Sequence, residues 1–201
     1  MPELRGARVV LRALREGDAA ALAREAGSVG VARMLRGTFP HPYSSDAARW
    51  FIAAAADGHF GRVWAITQGG GQDVLGTVAL APPSAADLAA AAASPLGAEL
   101  RGRRCAGELG YWLGEAHWGR GLVSEAAALV LGCAAAESSA SGVGAYVLVG
   151  VCARENPASQ RVLNKLGFHL VAQQPGTFVP NAAAGLSPDV RWDVDLLALI
   201  L

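Results

Sequence analysis

Charged residues are scarce in this chain, and the positive and negative ones cancel. Only 17% of the 201 residues are charged, whereas about a quarter of the residues of an average domain are charged. The chain has 17 basic and 17 acidic side chains. A balanced charge gives no electrostatic reason to expect a nucleic acid or an anionic membrane as a partner. Because 52% of the residues are hydrophobic, the composition also excludes a largely disordered chain.

Cysteine is scarce as well. The chain has Cys105, Cys133 and Cys152, an odd number without a Cys-x-x-Cys pair, which argues against a disulfide framework and against a zinc site. The four histidines lie far apart in the sequence and lack metal-ligand spacing. We therefore expect reduced cysteines and no bound metal.

Signals for export or membrane insertion are also missing. Residues 1–12 hold no apolar run before a small-residue cleavage site. The most apolar stretch, residues 121–136, contains Glu125 and is short and only mildly apolar for a membrane span. These absences predict a cytoplasmic protein.

The hydrophobic pattern alternates between strands and helices over a length that suits a single domain, residues 1–201. Strands are predicted at 8–12, 62–67, 74–81, 108–113, 145–152, 168–172 and 190–199. Helices are predicted to begin at an N-cap on Asp18, after Ser44, Ser45 and Asp46, after Gly121 and after Asn156. The hairpin at 62–81 implies antiparallel pairing, and the strand–helix alternation over 108–172 implies parallel pairing with crossover helices. We expect an α/β (α+β) fold with a mixed, mostly antiparallel central sheet of six to seven strands and about four helices.

Residues 82–104 interrupt this pattern. They are rich in proline, alanine and serine and then in arginine, with a run of alanines at 85–93 that would suit a short helix. We interpret the segment as a surface insertion without chemistry of its own.

Two glycines one residue apart stand between a predicted strand and the long third helix. Gly119 and Gly121 allow a backbone with positive φ, on which an anion can approach closely. The helix start that follows presents unpaired N–H groups and a partial positive charge, and Arg120 adds a cation. The segment is a candidate cradle for a diphosphate, although the same spacing also occurs in simple turns.

The second motif is Glu155-Asn156-Pro157 followed by a helical pattern up to Gly167-Phe168. Asn156 is a strong N-cap, Pro157 suits the first helical position and Gly167 suits the residue after the helix. This explains the helix by local structure alone.

Together, however, the two motifs resemble the GNAT superfamily of acetyl-CoA-dependent N-acetyltransferases. The strand E-L-G-Y-W-L, the loop W-G-R-G-L-V-S-E-A and the segment N-P-A-S-x-x-V-L-x-K-L-G-F are similar to its ribosomal-protein N-terminal acetyltransferase (RimJ/RimL-like) branch, as is the opening R-V-V-L-R-A-L-R-E-G-D. The resemblance covers about 3–81 and 105–199. It implies a GNAT-like fold with a splayed pair of parallel strands and acetyl-CoA as co-substrate, without a metal.

The resemblance also implies the residues that hold the cofactor. The family's phosphate loop, Q/R-x-x-G-x-G/A, is here Trp118-x-x-Gly121-x-Val123, with a valine in place of the usual small residue. The phosphates are assigned to Trp118, Gly119, Arg120, Gly121, Leu122, Val123 and Ser124. The pantetheine arm is assigned to Tyr111, Trp112 and Leu113 on one strand and to Asn156 and Ser159 on the other side. The N–H of Leu113 is the implied donor to the thioester carbonyl.

Two side chains are candidate catalytic residues. Glu108 lies beside the predicted cleft and would act as general base through a water, unless it is an exposed charge paired with Arg103 or Arg104. Relatives carry a tyrosine acid at the place of Leu163, so Ser159 becomes the candidate that protonates the leaving thiolate. The alternative for Ser159 is a first-turn cap.

The loop 28–43 and the segment 174–190 are predicted to shape the acceptor pocket. Arg33, Arg36, Phe39 and Tyr43 are its candidate residues, and no acidic cluster is visible there. The leading acceptor is the N-terminal α-amino group of a protein or peptide, whose pKa of about 8 requires only mild deprotonation. A small-molecule amine acetyltransferase and a non-catalytic CoA-binding sensor or interaction module remain alternatives, and the oligomeric state, monomer or homodimer, stays open.

Overall fold

The computed structural model describes residues 1–69, 71–94, 97, 103–141, 146–181 and 190–201. The strands are β1 (Leu4–Arg5), β2 (Val9–Ala13), β3 (Arg62–Gln68), β4 (Gly76–Ala81), β5 (Arg104–Leu113), β6 (Tyr146–Ala153), β7 (His169–Phe178) and β8 (Trp192–Ile200). The α-helices are α1 (Ala19–Ala26), α2 (Val29–Arg33), α3 (Ser45–Ala56), α4 (Ala85–Ala93), α5 (Leu122–Ser141) and α6 (Pro157–Lys165). Short 3₁₀ turns cover Glu16–Asp18 and Glu115–His117.

The strands form one sheet in the order β1-β2-β3-β4-β5-β6-β8-β7. The pairs from β1 to β5 are antiparallel, β5 and β6 are parallel, and β8 pairs antiparallel with β6 and with β7. The mixed, mostly antiparallel sheet is confirmed. It has eight strands instead of seven because β1, with two residues, is too short to show a pattern. The strand β7 does not pair with β6 as the alternation suggested, because β8 lies between them.

Helix α5 covers one face of the sheet. Its buried residues repeat at helical spacing and pack on the main core: Leu122, Ala126, Ala127, Val130, Leu131 and Ala134. Residues Leu122–Ala140 are long and apolar enough, at a mean hydropathy of 1.3, to cross a membrane by composition alone, and 39% of this stretch is buried. The apolar stretch is thus longer than predicted. A helix that packs on a sheet in this way needs a broad apolar face, which accounts for the composition.

Helix α4 covers part of the opposite face. Ala91 is buried among Val149, Val171 and Leu196 of three neighbouring strands. The run at 85–93 thus forms the short helix that its composition suited, with Asp87 and Ala91 buried against the sheet and most other side chains exposed. Its small alanine side chains let the helix lie close to the sheet, so the composition that looked like a loop also suits a packed helix.

Asp18 occupies the N-cap position of α1, as predicted. Its side chain makes no cap hydrogen bond; it forms a bidentate ion pair with Arg12 (both N–O distances 2.8 Å) and accepts from the backbone N–H of Arg15 at 2.7 Å. A buried guanidinium requires a carboxylate partner, so the Asp18 carboxylate pairs with Arg12 and does not cap the helix. The cap on Ser44 is confirmed, since its hydroxyl accepts from the N–H of Ala47 at 3.1 Å.

Candidate active site

The two parallel strands separate in the middle of the sheet. Pairing between β5 and β6 runs from Arg104 opposite Tyr146 to Glu108 opposite Val149. Beyond this point β5 continues along β4 and β6 continues along β8. A cleft of about 610 Å³ opens in the gap, and residues of the gap, of the glycine loop and of α6 line it.

The glycine loop closes one end of the cleft. Gly119 and Gly121 both have φ of +72°, the left-handed region that favours glycine. The first N–H to bond within α5 is that of Glu125, at 3.2 Å from the Gly121 carbonyl, so the preceding N–H groups of Leu122, Val123 and Ser124 have no partner in the helix. The start of α5 thus leaves these three N–H groups without a helical partner at one end of the cleft.

Two side chains of this loop make hydrogen bonds to neighbouring strands. The indole N–H of Trp118 donates to the carbonyl of Leu113 at 2.6 Å, which ties the loop to the end of β5. The side chain of Arg120 is exposed and donates to Gln68 Oε1 at 3.3 Å. The valine at position 123 is accommodated, because its half-buried side chain packs against the main core.

Arg8 contacts the glycine loop, and nothing in the sequence indicated this contact. Its guanidinium donates to the carbonyl of Arg120 at 2.7 Å and to that of Gly121 at 3.4 Å, and its Nε pairs with Glu125 Oε2 at 2.7 Å. Burial alone would raise the pKa of Glu125, but the hydrogen bonds from Arg8 and Val9 hold that pKa below its ordinary value. The turn between β1 and β2 is thereby fixed to the start of α5.

The other wall of the cleft carries a hydroxyl pair. Asn156 caps α6 as predicted, with its side chain accepting from the N–H of Ser159 at 3.1 Å. The Ser159 hydroxyl lies 2.8 Å from the Tyr111 hydroxyl, across the gap between the strands. Burial raises the pKa of Tyr111, partly offset by this contact, so Tyr111 stays protonated at neutral pH. Sequence reasoning had assigned Tyr111 for its backbone only.

Glu108 lies where the strands begin to separate. Its side chain is only 19% exposed and its Oε1 lies 3.4 Å from Nη2 of Arg36. Burial raises the pKa of Glu108, Arg36 lowers it and Asp87 raises it, with a net upward shift. The ion-pair partner comes from the 28–43 loop, which was predicted to serve the acceptor.

The predicted acceptor residues separate into two groups. Arg36 lines the cleft, whereas Tyr43 is buried and stacks on Phe39 with ring centroids 4.9 Å apart. Phe39 also meets the ring of Trp112 edge-on at 6.3 Å, so these three rings hold the 28–43 loop on the sheet. Arg33 is exposed and is not among the described residues that line the cleft. Of the segment 174–190, residues 182–189 lie outside the described residues.

A second cavity of about 520 Å³ adjoins the cleft. The two share Arg36, Val151 and Phe178 in their walls. Polar side chains of α4 and β7 line the rest, among them Ser84, Asp87, Gln173, Gln174 and Thr177. Asp87 is 6% exposed; it accepts from the Ser84 hydroxyl at 2.5 Å and from Gln174 Nε2 at 3.5 Å. The segment interpreted as lacking chemistry thus supplies a carboxylate beside the cleft.

Residues 8–169 match the acetyltransferase (GNAT) domain family. The chain belongs to the GNAT family. This match confirms the resemblance stated above and makes the protein an acetyl-CoA-dependent N-acetyltransferase. No curated protein matches the sequence.

Solved structures share the fold at low sequence identity. A GNAT acetyltransferase from Bacillus anthracis is 15% identical with a TM-score of 0.73, covering 99% of this chain and 98% of that one. RimL, a ribosomal α-N-protein acetyltransferase in complex with coenzyme A, is 17% identical with a TM-score of 0.72, covering 100% and 98%. RimJ from Mycobacterium smegmatis, in complex with a CoA disulfide, is 20% identical with a TM-score of 0.69, covering 99% and 86%.

Proposed function

We propose that this GNAT protein transfers the acetyl group of acetyl-CoA, within the cleft between β5 and β6, to the N-terminal α-amino group of a protein or peptide. The observation that carries the proposal is the position of Glu108. Its buried carboxylate lies where the strands separate, on the cleft that the glycine loop closes. A base, an anion cradle and a gap between strands therefore share one cavity.

The size of the cleft supports acetyl-CoA as the donor. A cavity of about 610 Å³ is in the range of small-molecule sites, roughly 300–1,000 Å³. The N–H groups at the start of α5 would hold the diphosphate. The pantetheine arm would lie along Tyr111, Trp112 and Leu113, whose free strand edge offers backbone partners to its amides. RimL and RimJ were solved with coenzyme A or a CoA disulfide, which supports the same donor here.

Glu108 would act on the acceptor. A protonated amine has no lone pair, so the carboxylate must first take a proton from it, directly or through one water. The neutral amine then attacks the thioester carbonyl, forming the C–N bond as the C–S bond breaks, and the second proton lost by the nitrogen balances the one that the thiolate gains. Burial raises the pKa of Glu108, which brings the base closer to the pKa of the acceptor amine.

The leaving thiolate would be protonated from the other wall. Ser159 is the nearest candidate, and its hydroxyl is fixed by Tyr111 at 2.8 Å. Tyr111 keeps its proton at neutral pH because burial raises its pKa. The pair would thus present an oriented O–H donor to the sulfur, in place of the tyrosine that relatives carry at the position of Leu163.

The second cavity would receive the acceptor. The Asp87 carboxylate suits a cationic amine on its way to Glu108, and the amide and hydroxyl groups of Gln173, Gln174 and Thr177 suit the main chain of a peptide. RimL is a ribosomal α-N-protein acetyltransferase by name, and this supports a protein N-terminus. A small cationic amine is the second candidate: the predicted acceptor segments showed no acidic cluster, but Asp87 of α4 lines the second cavity.

The test is acetyl transfer itself. Purified protein and acetyl-CoA are incubated with peptides bearing a free N-terminus, with the same peptides N-terminally blocked, and with small amines. CoA thiol release is followed together with the mass of the acceptor. We expect a gain of one acetyl group on the free N-terminus only. Transfer to small amines alone supports the second candidate, and acetyl-CoA binding without thiol release with any amine contradicts both.

Asp87→Asn tests the acceptor side. Removing the charge is expected to raise KM for a cationic acceptor about tenfold, which corresponds to the loss of one hydrogen bond to a charged group. KM for acetyl-CoA should stay unchanged. Asp57→Asn, which changes an exposed carboxylate after α3, is the matched control. An equal change in both Michaelis constants would contradict the assignment.

A further inference from the structure

Arg8, in the turn between β1 and β2, contacts the loop that closes the cleft. Four of its contacts reach the loop or the first turn of α5: its backbone N–H donates to Glu125 Oε1 at 2.7 Å, its Nε to Oε2 at 2.7 Å, its Nη1 to the Arg120 carbonyl at 2.7 Å and its Nη2 to the Gly121 carbonyl at 3.4 Å. The planar guanidinium alone can hold three acceptors in one fixed geometry.

Arg8 and the first hydrogen bond of α5 together fix where the loop amides point, since the Gly121 carbonyl accepts from Arg8 and from the N–H of Glu125. In a planar trans peptide the C=O of one residue and the N–H of the next point in opposite directions. Because Arg8 holds the carbonyls of Arg120 and Gly121, the N–H groups of Gly121 and Leu122 point away from Arg8. Gly121 and Leu122 line the cleft, and Arg8 is not among its described lining residues. These two N–H groups, on lining residues and pointing away from Arg8, are the ones that an anion in the cleft would meet.

The carboxylate of Glu125 brings a negative charge close to the loop. A carboxylate in the first turn of α5 would repel a diphosphate bound at the same helix start. Its ion pair with Arg8 at 2.7 Å, next to a further donor from the N–H of Val9 at 3.4 Å, offsets this repulsion. Gly121 leaves the necessary room, since a Cβ there would lie 3.3 Å from Nη2 of Arg8.

We infer that Arg8 is a positioning residue for the diphosphate of the acyl donor: it aims the Gly121 and Leu122 amides at the phosphates and neutralises Glu125. This role rests on the proposed donor site and adds to it a residue over a hundred positions away in the sequence. Arg8 acts through the loop and does not contact the donor.

The test compares two acyl donors that differ in the diphosphate. Acetyl-CoA carries it, and S-acetyl-pantetheine, which has the same thioester and arm, lacks both the diphosphate and the 3′-phosphoadenosine beyond it. For Arg8→Gln we expect kcat/KM with acetyl-CoA to fall about tenfold or more, as for the loss of a hydrogen bond between charged groups, and kcat/KM with S-acetyl-pantetheine to stay the same. Arg8→Lys keeps the charge but not the fork, and it should restore only part of the loss.

Arg62→Gln is the matched control, since it removes the ion pair between Arg62 and Glu137 at the other end of α5, 2.5 Å long. We expect it to leave the ratio of the two donors unchanged. Equal losses on both donors for Arg8→Gln and Arg8→Lys would mean that Arg8 only supports the fold, and no loss on either would also overturn the inference. A wild-type protein that does not bind acetyl-CoA would instead refute the proposed function.

Discussion

At the scale of single residues, the proposed role of Glu108 as a base depends on how its surroundings shift its pKa. Burial raises its pKa above the ordinary value and Arg36 restrains the rise. A base must lose its proton to work, so kcat/KM should increase as pH rises through this pKa. We predict that Glu108→Gln removes this limb of the pH profile and lowers kcat/KM at neutral pH by roughly 10²–10⁴-fold.

Arg36→Gln provides the companion measurement. Without the cation 3.4 Å away, the pKa of Glu108 should rise further, and the limb should move to higher pH while the activity at high pH is kept. A Glu108→Gln enzyme with the profile of the wild type would contradict the assignment of the base.

The Arg12–Asp18 pair is the residue-scale feature with the largest expected effect on stability. Their side chains are 8% and 9% exposed, and Asp18 also accepts from the backbone of Arg15. Asp18→Asn leaves a buried guanidinium without its counter-charge, so we predict that the free energy of unfolding in urea falls by about 3–5 kcal/mol. Asp46→Asn, at an 87% exposed carboxylate, should change it by less than about 0.5 kcal/mol. Similar values for both variants would disprove the prediction.

At the scale of secondary-structure elements, the glycine loop makes the sharpest prediction. Gly121→Ala forces a side chain into a backbone with φ of +72°, at about 1–2 kcal/mol, beside Arg8. Gly58→Ala imposes the same strain at φ of +78° after α3, where nothing lies within 4 Å. We predict that both variants lose similar stability and that only Gly121→Ala weakens acetyl-CoA binding, measured by calorimetric titration. Equal affinity in the two variants would contradict the role of the loop.

Elements with a strong local signal were predictable. The helix α6 has its cap on Asn156, Pro157 at its first position and Gly167 after its end, at φ of +87°. The glycines of the loop likewise allowed the start of α5 to be predicted. The start of β5 at Arg104 was missed, because the arginine-rich segment before Glu108 lacks a strand pattern. Helix α2, with five residues, was too short to be separated from its loop.

At the scale of the whole molecule, the site is assembled from distant parts of the chain. Arg8 meets Glu125, Arg36 meets Glu108, and Tyr111 meets Ser159. None of these pairs has a spacing that a local pattern could show, so the sequence could offer Glu108 and Ser159 as candidates but could not indicate their partners. The carboxylate of Asp87 was missed for the same reason, since only the packing of α4 on β7 and β8 brings it beside the cleft.

Thermal unfolding with and without acetyl-CoA tests the central claim most directly. At 100 times Kd the ligand should stabilise the native state by roughly 2.7 kcal/mol, which for a domain of this size is a rise in Tm of roughly 5–10 °C. We predict that the wild type shows this rise and that Gly121→Glu, which places a bulky anion in the loop, abolishes it. An unchanged wild-type Tm at millimolar acetyl-CoA, or the same rise in Gly121→Glu, would contradict the assignment of this cleft as the donor site.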